Sequence, residues 1–236
     1  MTAINVIRQK QAVHVISDGV FCDSSGLVCE IGPNAFPLPH LPGALAIRGA
    51  SHFMPFLVHR LSRECRSLDE ALAKLVRIAQ EVHLSFPAAF GSLGYGSIAP
   101  DFDLVAAGWS KALARPVSYV VSSHDRVIAT GLTASPWQLV ELPDILIAPP
   151  VAQGQITAVG WNVPYSAEAF QPEVDGVALV KAQRLSRRII DPRSGASACT
   201  VGGFIQVTSM SSRGITSNIL HNWSDELGRM IEAMSG

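Results

Sequence analysis

Short apolar runs come in blocks along this chain, and helices interrupt them in a fixed order; that order restricts the architecture more than any other feature. Ala3–Arg8 and Ala12–Ser17 are strand-length runs rich in β-branched residues, split by the polar turn Gln9-Lys10-Gln11. Asp18-Gly19 and Asp23-Ser24-Ser25-Gly26 are turn signals, and Leu27–Ile31 and Ala44–Ile47 read as further strands. Ser51 stands where a helix cap belongs, with Pro55 in the first turn behind it. Ser67-Leu68-Asp69-Glu70 has the form of a capping box and opens a second helix, in which Leu72, Leu75, Val76 and Ala79 fall on one face. Beyond a Gly/Pro/Ser-rich loop (Ser85–Pro100), strands are predicted at Leu104–Gly108, Val117–Ser122 and Leu139–Leu142. A third helix is predicted over Val177–Ile189, with Asp175 near its start. The strands Thr200–Met210 and Ile215–Leu220 follow, joined around Ser212-Arg213-Gly214. A closing helix is expected from Asn222 and Asp225 at cap positions and an apolar stripe of Leu227, Met230, Ile231 and Met234.

Strand blocks separated in this way argue for an α+β fold with antiparallel sheets. Helices on both outer faces would bury two stacked sheets, a four-layer αββα sandwich, and would account for strands that read as continuous apolar runs. No repeat, linker or low-complexity tract divides the chain, so residues 1–236 are read as a single domain. Charged residues are only 16% and hydrophobic residues 48%, the reverse of a disordered composition. A net charge of -1 provides no chain-wide basic field for nucleic acid. The longest charge-free stretch, Ile145–Ala167, is broken by Pro149, Pro150, Gly154, Gly160 and Pro164 and does not make a membrane-spanning helix. Arg8 and Lys10 stand in an N-terminus without the apolar core of a signal peptide, so a cytoplasmic protein is expected. Its sparse surface charge is read as contact area between subunits of a homo-oligomer.

Several common chemistries lack their signatures. The sequence has no GxxxxGK[ST], HExxH or GxSxG motif, and Gly91, Gly94 and Gly96 do not form GxGxxG. Cys22, Cys29, Cys65 and Cys199 have no CxxC spacing and are read as small buried hydrophobes in a reducing compartment, with no metal or cofactor implied. His52 and His59 are read as a packed or solvated pair. Lys181, Arg184, Arg187, Arg188 and Arg193 are read as a solvated helix face, and the four tryptophans lack the interleaved basic residues of a base-stacking platform.

The N-terminus carries the strongest chemical signal. Removal of Met1 would leave Thr2 with a hydroxyl and a free α-amine, whose ordinary pKa of about 8 suits it to act as base for its own hydroxyl. Asp18 stands sixteen positions after Thr2, at the end of the second apolar run. The run Ala44-Leu45-Ala46-Ile47-Arg48-Gly49-Ala50 is an apolar strand ending in glycine just before a helix, and Asp191-Pro192-Arg193-Ser194-Gly195 follows a predicted helix. In order and spacing these segments resemble the proteasome β-type subunits and the related HslV peptidase, N-terminal-nucleophile (Ntn) hydrolases. The resemblance spans most of the chain in element order and four short segments in residues.

That resemblance implies the αββα fold, Thr2 as nucleophile, Asp18, Asp191 and Ser194 around its amine, and the Gly49 N–H as oxyanion donor. It also implies a peptide or amide substrate and assembly into rings or a larger homo-oligomer, without a cofactor. The chain departs from the family at the activating lysine, thirty-two positions after the threonine, where it has Asn34. No lysine lies between Lys10 and Lys74, and Arg48 is the one cation expected nearby. The family's Ser-Gly pair before its third helix has its nearest counterpart around Gln153-Gly154-Gln155. Two readings stand: a threonine-type hydrolase, or a catalytically silent scaffold that keeps the assembly.

Overall fold

The computed structural model describes residues 2–86, 99–129 and 132–233. Met1, Gly91, Gly94, Gly96 and Met234, which enter the sequence reading, lie outside the described residues.

The fold is α+β, with antiparallel sheets. Ile4–Arg8 (β1) and Ala12–Asp18 (β2) form a hairpin, followed by the short pair Val20–Cys22 (β3) and Val28–Ile31 (β4). Ala35–Leu38 (β5) and Gly43–Gly49 (β6) lead into the helices Met54–Glu64 (α1) and Leu68–Leu84 (α2). Phe102–Ser110 (β7), Arg115–Ser122 (β8), Arg126–Ala129 (β9), Leu132–Ala134 (β10), Val140–Glu141 (β11) and Ile145–Leu146 (β12) follow. After the helices Gln153–Ala158 (α3) and Pro172–Arg184 (α4) come Arg187–Asp191 (β13), Ala196–Cys199 (β14), Phe204–Ser211 (β15) and Gly214–Asn222 (β16).

Two five-stranded sheets organise these elements, one in the order β12-β1-β2-β15-β16 and the other in the order β11-β8-β7-β6-β5. Alternation along the strands sorts the apolar residues into three clusters. Ile4, Val6, Val13 and Val15 of the first sheet meet Ala44, Ala46, Val105 and Val120 of the second. The opposite face of the second sheet, through Leu45, Ile47, Leu104 and Val121, packs on Leu57 and Leu61 of α1 and on Leu75 and Ile78 of α2. The opposite face of the first sheet, through Ile7, Ile16, Ile205 and Val207, packs on Leu179 and Val180 of α4. The central strands of both sheets are therefore covered on two faces, whereas the edge strand β16 is largely exposed and carries the polar run Thr216-Ser217-Asn218.

The N-terminus of α2 forms as its sequence dictates: Ser67 Oγ accepts the Glu70 N–H at 3.1 Å. The other helix boundaries differ from expectation. Ser51 does not cap α1; it opens a short 3₁₀ turn, and α1 starts at Met54 with Pro55 in its first turn. The helix expected at Val177–Ile189 starts earlier, at Pro172, whose fixed φ suits a first helical turn, and it ends at Arg184. Residues expected to complete it instead form β13, paired with β14. The six-residue α3 is an addition to the expected elements, as are β9 and β10.

No closing helix forms among the described residues. Asp225, expected as a cap, is occupied by Arg184 and by the Gly203 N–H. The segment after it runs extended, with Met230 bridged to Leu27 and Ile231 bridged to Cys199. Arg184, expected on a solvated face, is fully buried. Cys65 and Cys199 are buried as expected, whereas Cys22 is half-buried and Cys29 exposed.

Candidate active site

The site grows from the end of the β1–β2 hairpin. Asp18 is the last residue of β2, paired with Ile205 on β15 and wholly buried. Its backbone N–H donates to the Ala3 carbonyl at 3.3 Å, and its Oδ1 accepts the Ala3 N–H at 2.9 Å. The carboxylate thus grips the chain one residue beyond Thr2. Two more donors complete its shell: Gly202 N–H reaches Oδ2 at 3.1 Å, and Asn34 Nδ2 reaches Oδ1 at 3.0 Å. Burial pushes the Asp18 carboxyl from 3.8 up to about 8, against the pull of the Gly202, Ala3 and Asn34 donors.

Asn34 is as buried as the carboxylate it serves. Its Nδ2 also donates to the Asp18 carbonyl at 2.9 Å, tying the start of β5 to the end of β2. Its Oδ1 is buried with no partner. The residue that stands in the place of the family lysine therefore does touch Asp18, as a neutral donor.

Thr2 is half-buried and lines a cavity of about 640 Å³. Gly49 lines the same cavity, at the end of β6 where the sheet gives way to the turn before α1. Its φ of +97° belongs to the left-handed region, and a Cβ there would meet the Asp101 carbonyl at 2.4 Å. Glycine at this position follows from both constraints together. Thr200, directly after β14, also lines the cavity.

The remaining wall mixes apolar residues, among them Val20, Phe21 and Phe102, with charged ones. Arg48 of β6, Asp103 of β7, Arg126 of β9 and Arg188 of β13 all border the cavity. Asp103 is nearly buried; it accepts the Ser122 hydroxyl at 2.7 Å and pairs with Arg126 at 3.3 Å. Burial, and then the nearby Arg126, pull the Arg48 guanidinium below its ordinary value, opposed by Asp103 and Asp18. His124, also on the wall, stands 3.9 Å from Asp101.

Of the residues singled out in the sequence, the structure brings Thr2 and Gly49 to one cavity and sets Asp18 directly behind Thr2. Asp191 and Ser194 are not in that group. They sit in the turn closing β13 and β14, where Asp191 accepts the Ser194 hydroxyl at 2.5 Å and the Arg193 N–H at 2.9 Å. These bonds close the turn on itself, and neither residue is on the cavity wall. The segment that does reach Asp18 is Thr200–Gly203. Its signal in the sequence is the Gly202-Gly203 pair just before the apolar run at Phe204. Gly203 has φ +71°, and a Cβ there would lie 2.2 Å from the Gly19 carbonyl. Reading the strand from Thr200 hid this turn. Gln153-Gly154-Gln155 begins α3, with Gln155 Oε1 accepting the Ala152 N–H at 2.6 Å, and is not on the cavity wall.

No protein-family model matches the chain, and no curated protein matches its sequence. Among the described residues no helix is long and apolar enough to cross a membrane, and no cluster of His, Cys, Asp and Glu has the form of a metal site.

Proposed function

We propose that the chain is a threonine-type N-terminal-nucleophile hydrolase acting on amide bonds, with the helix–sheet–sheet–helix packing being the αββα sandwich of that class. The observation that carries the reading is the bond from the Ala3 N–H to the buried Asp18 carboxylate, which fixes Thr2 on the wall of a cavity that Gly49 shares. Three separate stretches of sequence, read for this chemistry, converge there.

In the proposed reaction, removal of Met1 frees the Thr2 amine. That amine takes the hydroxyl proton as Thr2 Oγ adds to the substrate carbonyl carbon, and the Gly49 N–H stabilises the oxyanion. The amine then passes the proton to the departing nitrogen as the C–N bond breaks, leaving an ester on Thr2. Water, deprotonated by the same amine, hydrolyses the ester and restores the hydroxyl. Asp18 acts as a positioning residue through Ala3. The support that the family resemblance assigned to Asp191 and Ser194 passes in this reading to Thr200 and Gly202. The working form is a cytoplasmic homo-oligomer.

A second reading, a silent scaffold of the same fold, is favoured by Asn34. A neutral amide beside Asp18 supplies no positive charge to lower the pKa of the hydroxyl–amine pair. Two measurements on the purified chain decide between them. Intact mass spectrometry shows whether Met1 is removed, and an epoxyketone or β-lactone probe reports a reactive Thr2. The hydrolase reading expects a des-Met1 chain with one adduct mapped to Thr2. A retained Met1, or a des-Met1 chain that resists the probe, supports the scaffold.

A further inference from the structure

Hydrogen-bond accounting around the buried His14 fixes where its ring carries the proton. Gln9 Nε2 donates to two main-chain carbonyls, those of Ala167 and Phe170, each at 2.8 Å. Both amide hydrogens are committed, so Gln9 Oε1, 3.0 Å from His14 Nε2, acts there as the acceptor. The neutral imidazole therefore holds its proton on Nε2, and Nδ1 is a free base. Ser209 Oγ lies 2.8 Å from that Nδ1, so its hydroxyl donates to the ring. Burial holds His14 below its ordinary 6.5, against the pull of Glu173 in the first turn of α4, and keeps the ring neutral at pH 7. A hydroxyl bonded to a base that a third side chain orients has the arrangement of an activated nucleophile.

Strand register sets that hydroxyl beside a cavity. Ser209 of β15 pairs with His14 of β2 on one side and with Thr216 of β16 on the other. Two residues along the same face, Ile16 and Val207 are covered by α4. In the other direction Ser211 pairs with Ala12 and Gly214, so this end of the face is floored by small residues. Ala12, Ser211, Gly214 and Thr216 border, with the half-buried Ser209, a cavity of about 410 Å³. Gln11 and Arg213 add polar donors to its wall. Neither Ser209 nor His14 borders the Thr2 cavity.

We infer that Ser209 is a second nucleophile, which takes the acyl group of small carboxylic esters with His14 as general base and Gln9 as a positioning residue. Ser209 Oγ adds to the ester carbonyl carbon as its proton moves to His14 Nδ1. The ester C–O bond breaks, the alcohol leaves with that proton, and the acyl group stays on Ser209. Water then adds to the acyl carbon, giving a proton to Nδ1, and the acid departs as that proton returns to Ser209 Oγ. This inference does not depend on Thr2.

The test treats the full chain with a fluorophosphonate and maps the adduct by mass spectrometry, with thermal melts to confirm folding of each variant. One adduct on Ser209 is expected in wild type and in Thr2→Ala, and none in Ser209→Ala. His14→Gln keeps a polar group beside the hydroxyl and removes the base, so labelling should slow by about a hundredfold or more. p-Nitrophenyl acetate should release p-nitrophenolate with wild type and Thr2→Ala but not with Ser209→Ala. No adduct in wild type, an adduct mapped elsewhere, loss of the adduct in Thr2→Ala, or undiminished labelling of folded His14→Gln overturns the inference, as does equal ester cleavage by Ser209→Ala. Gln9→Glu puts a carboxylate on Nε2, beside Glu173 as the charge already acting on the ring. It should move the midpoint of labelling to higher pH, because a protonated ring is no base; an unmoved midpoint removes the role given to Gln9.

Discussion

Arg184 and Asp225 form a forked ion pair out of reach of solvent, Nη2 on Oδ1 at 2.7 Å and Nη1 on Oδ2 at 2.8 Å. The same Oδ2 accepts the Gly203 N–H at 2.7 Å, and Nη1 also reaches the Val201 carbonyl at 3.2 Å. The guanidinium lies 4.5 Å from the Trp223 ring centroid. The pair thus locks the turn whose Gly202 N–H holds Asp18, and it joins the end of α4 to the segment after β16. Removing one partner leaves the other charge buried alone. Asp225→Asn or Arg184→Met is therefore expected to cost about 3–5 kcal/mol of stability, read as a lowered urea midpoint. A loss under about 1 kcal/mol, the range of exposed pairs, contradicts this account.

The buried Asp18 carboxyl makes stability fall as pH rises. Its native pKa of about 8 lies above the ordinary 3.8, so the folded state holds the proton more tightly than the unfolded chain. The stabilisation from the protonated acid is complete below the ordinary value and is lost as pH climbs through the native one. His14, His52, His83 and His221, all held low by burial, tilt the curve the other way near their ordinary 6.5. The comparison that isolates Asp18 is with Asp18→Asn: the stability of wild type relative to the variant should decline between pH 4 and 8, measured by denaturant midpoints across that range. A constant difference contradicts it.

Asn34→Lys puts a cation where a neutral amide now touches Asp18. An opposite charge within bonding distance lowers a carboxyl pKa by roughly one to three units. The upper end of the Asp18-dependent decline in stability should move to lower pH by that amount while its onset near the ordinary value stays put, and Thr2 labelling by a β-lactone should speed up at neutral pH. Faster labelling shows that the missing cation at this position limits the nucleophile; unchanged labelling in a folded variant shows that Asn34 is not what limits it.

Gly49→Ala combines a left-handed backbone with a Cβ driven onto the Asp101 carbonyl. Strain of this kind costs about 1–3 kcal/mol before the clash is counted. A fall in thermal midpoint is expected together with loss of Thr2 labelling. Gly154→Ala, at a glycine with open space around it, should leave both unchanged.

Light scattering during size exclusion tests the assembly that the low surface charge suggested. The proposed working form predicts a mass several times 25.2 kDa. A monomer at micromolar concentration removes the oligomer from the proposal.

The strands of the two sheets were legible because burial on both faces leaves apolar runs of strand length, and β1, β2, β6, β7 and β8 fall within a few residues of their expected bounds. Ser67 announced α2 because a local hydrogen bond decides a cap. That Thr2, Asp18 and Gly49 would gather near one another was an expectation of the family resemblance, which rests on their order and spacing along the chain. The rest depended on distant partners. Asp225 looks like a cap until Arg184, forty-one residues earlier, claims its carboxylate. Asp191 and Ser194 fit a motif by spacing, yet β13 and β14 pair with each other and carry that turn away from the cavity wall. Arg126 and Asp103 gave no local sign, since an ion pair across two strands has no periodicity to read.

Asp18 grips the amide of residue 3, one residue past the bond that trimming would cut. In the proposed scheme the threonine is moored from behind by its own chain, and cutting on its other side leaves that mooring bond in place, so the timing of activation belongs to whichever aminopeptidase reaches the end first.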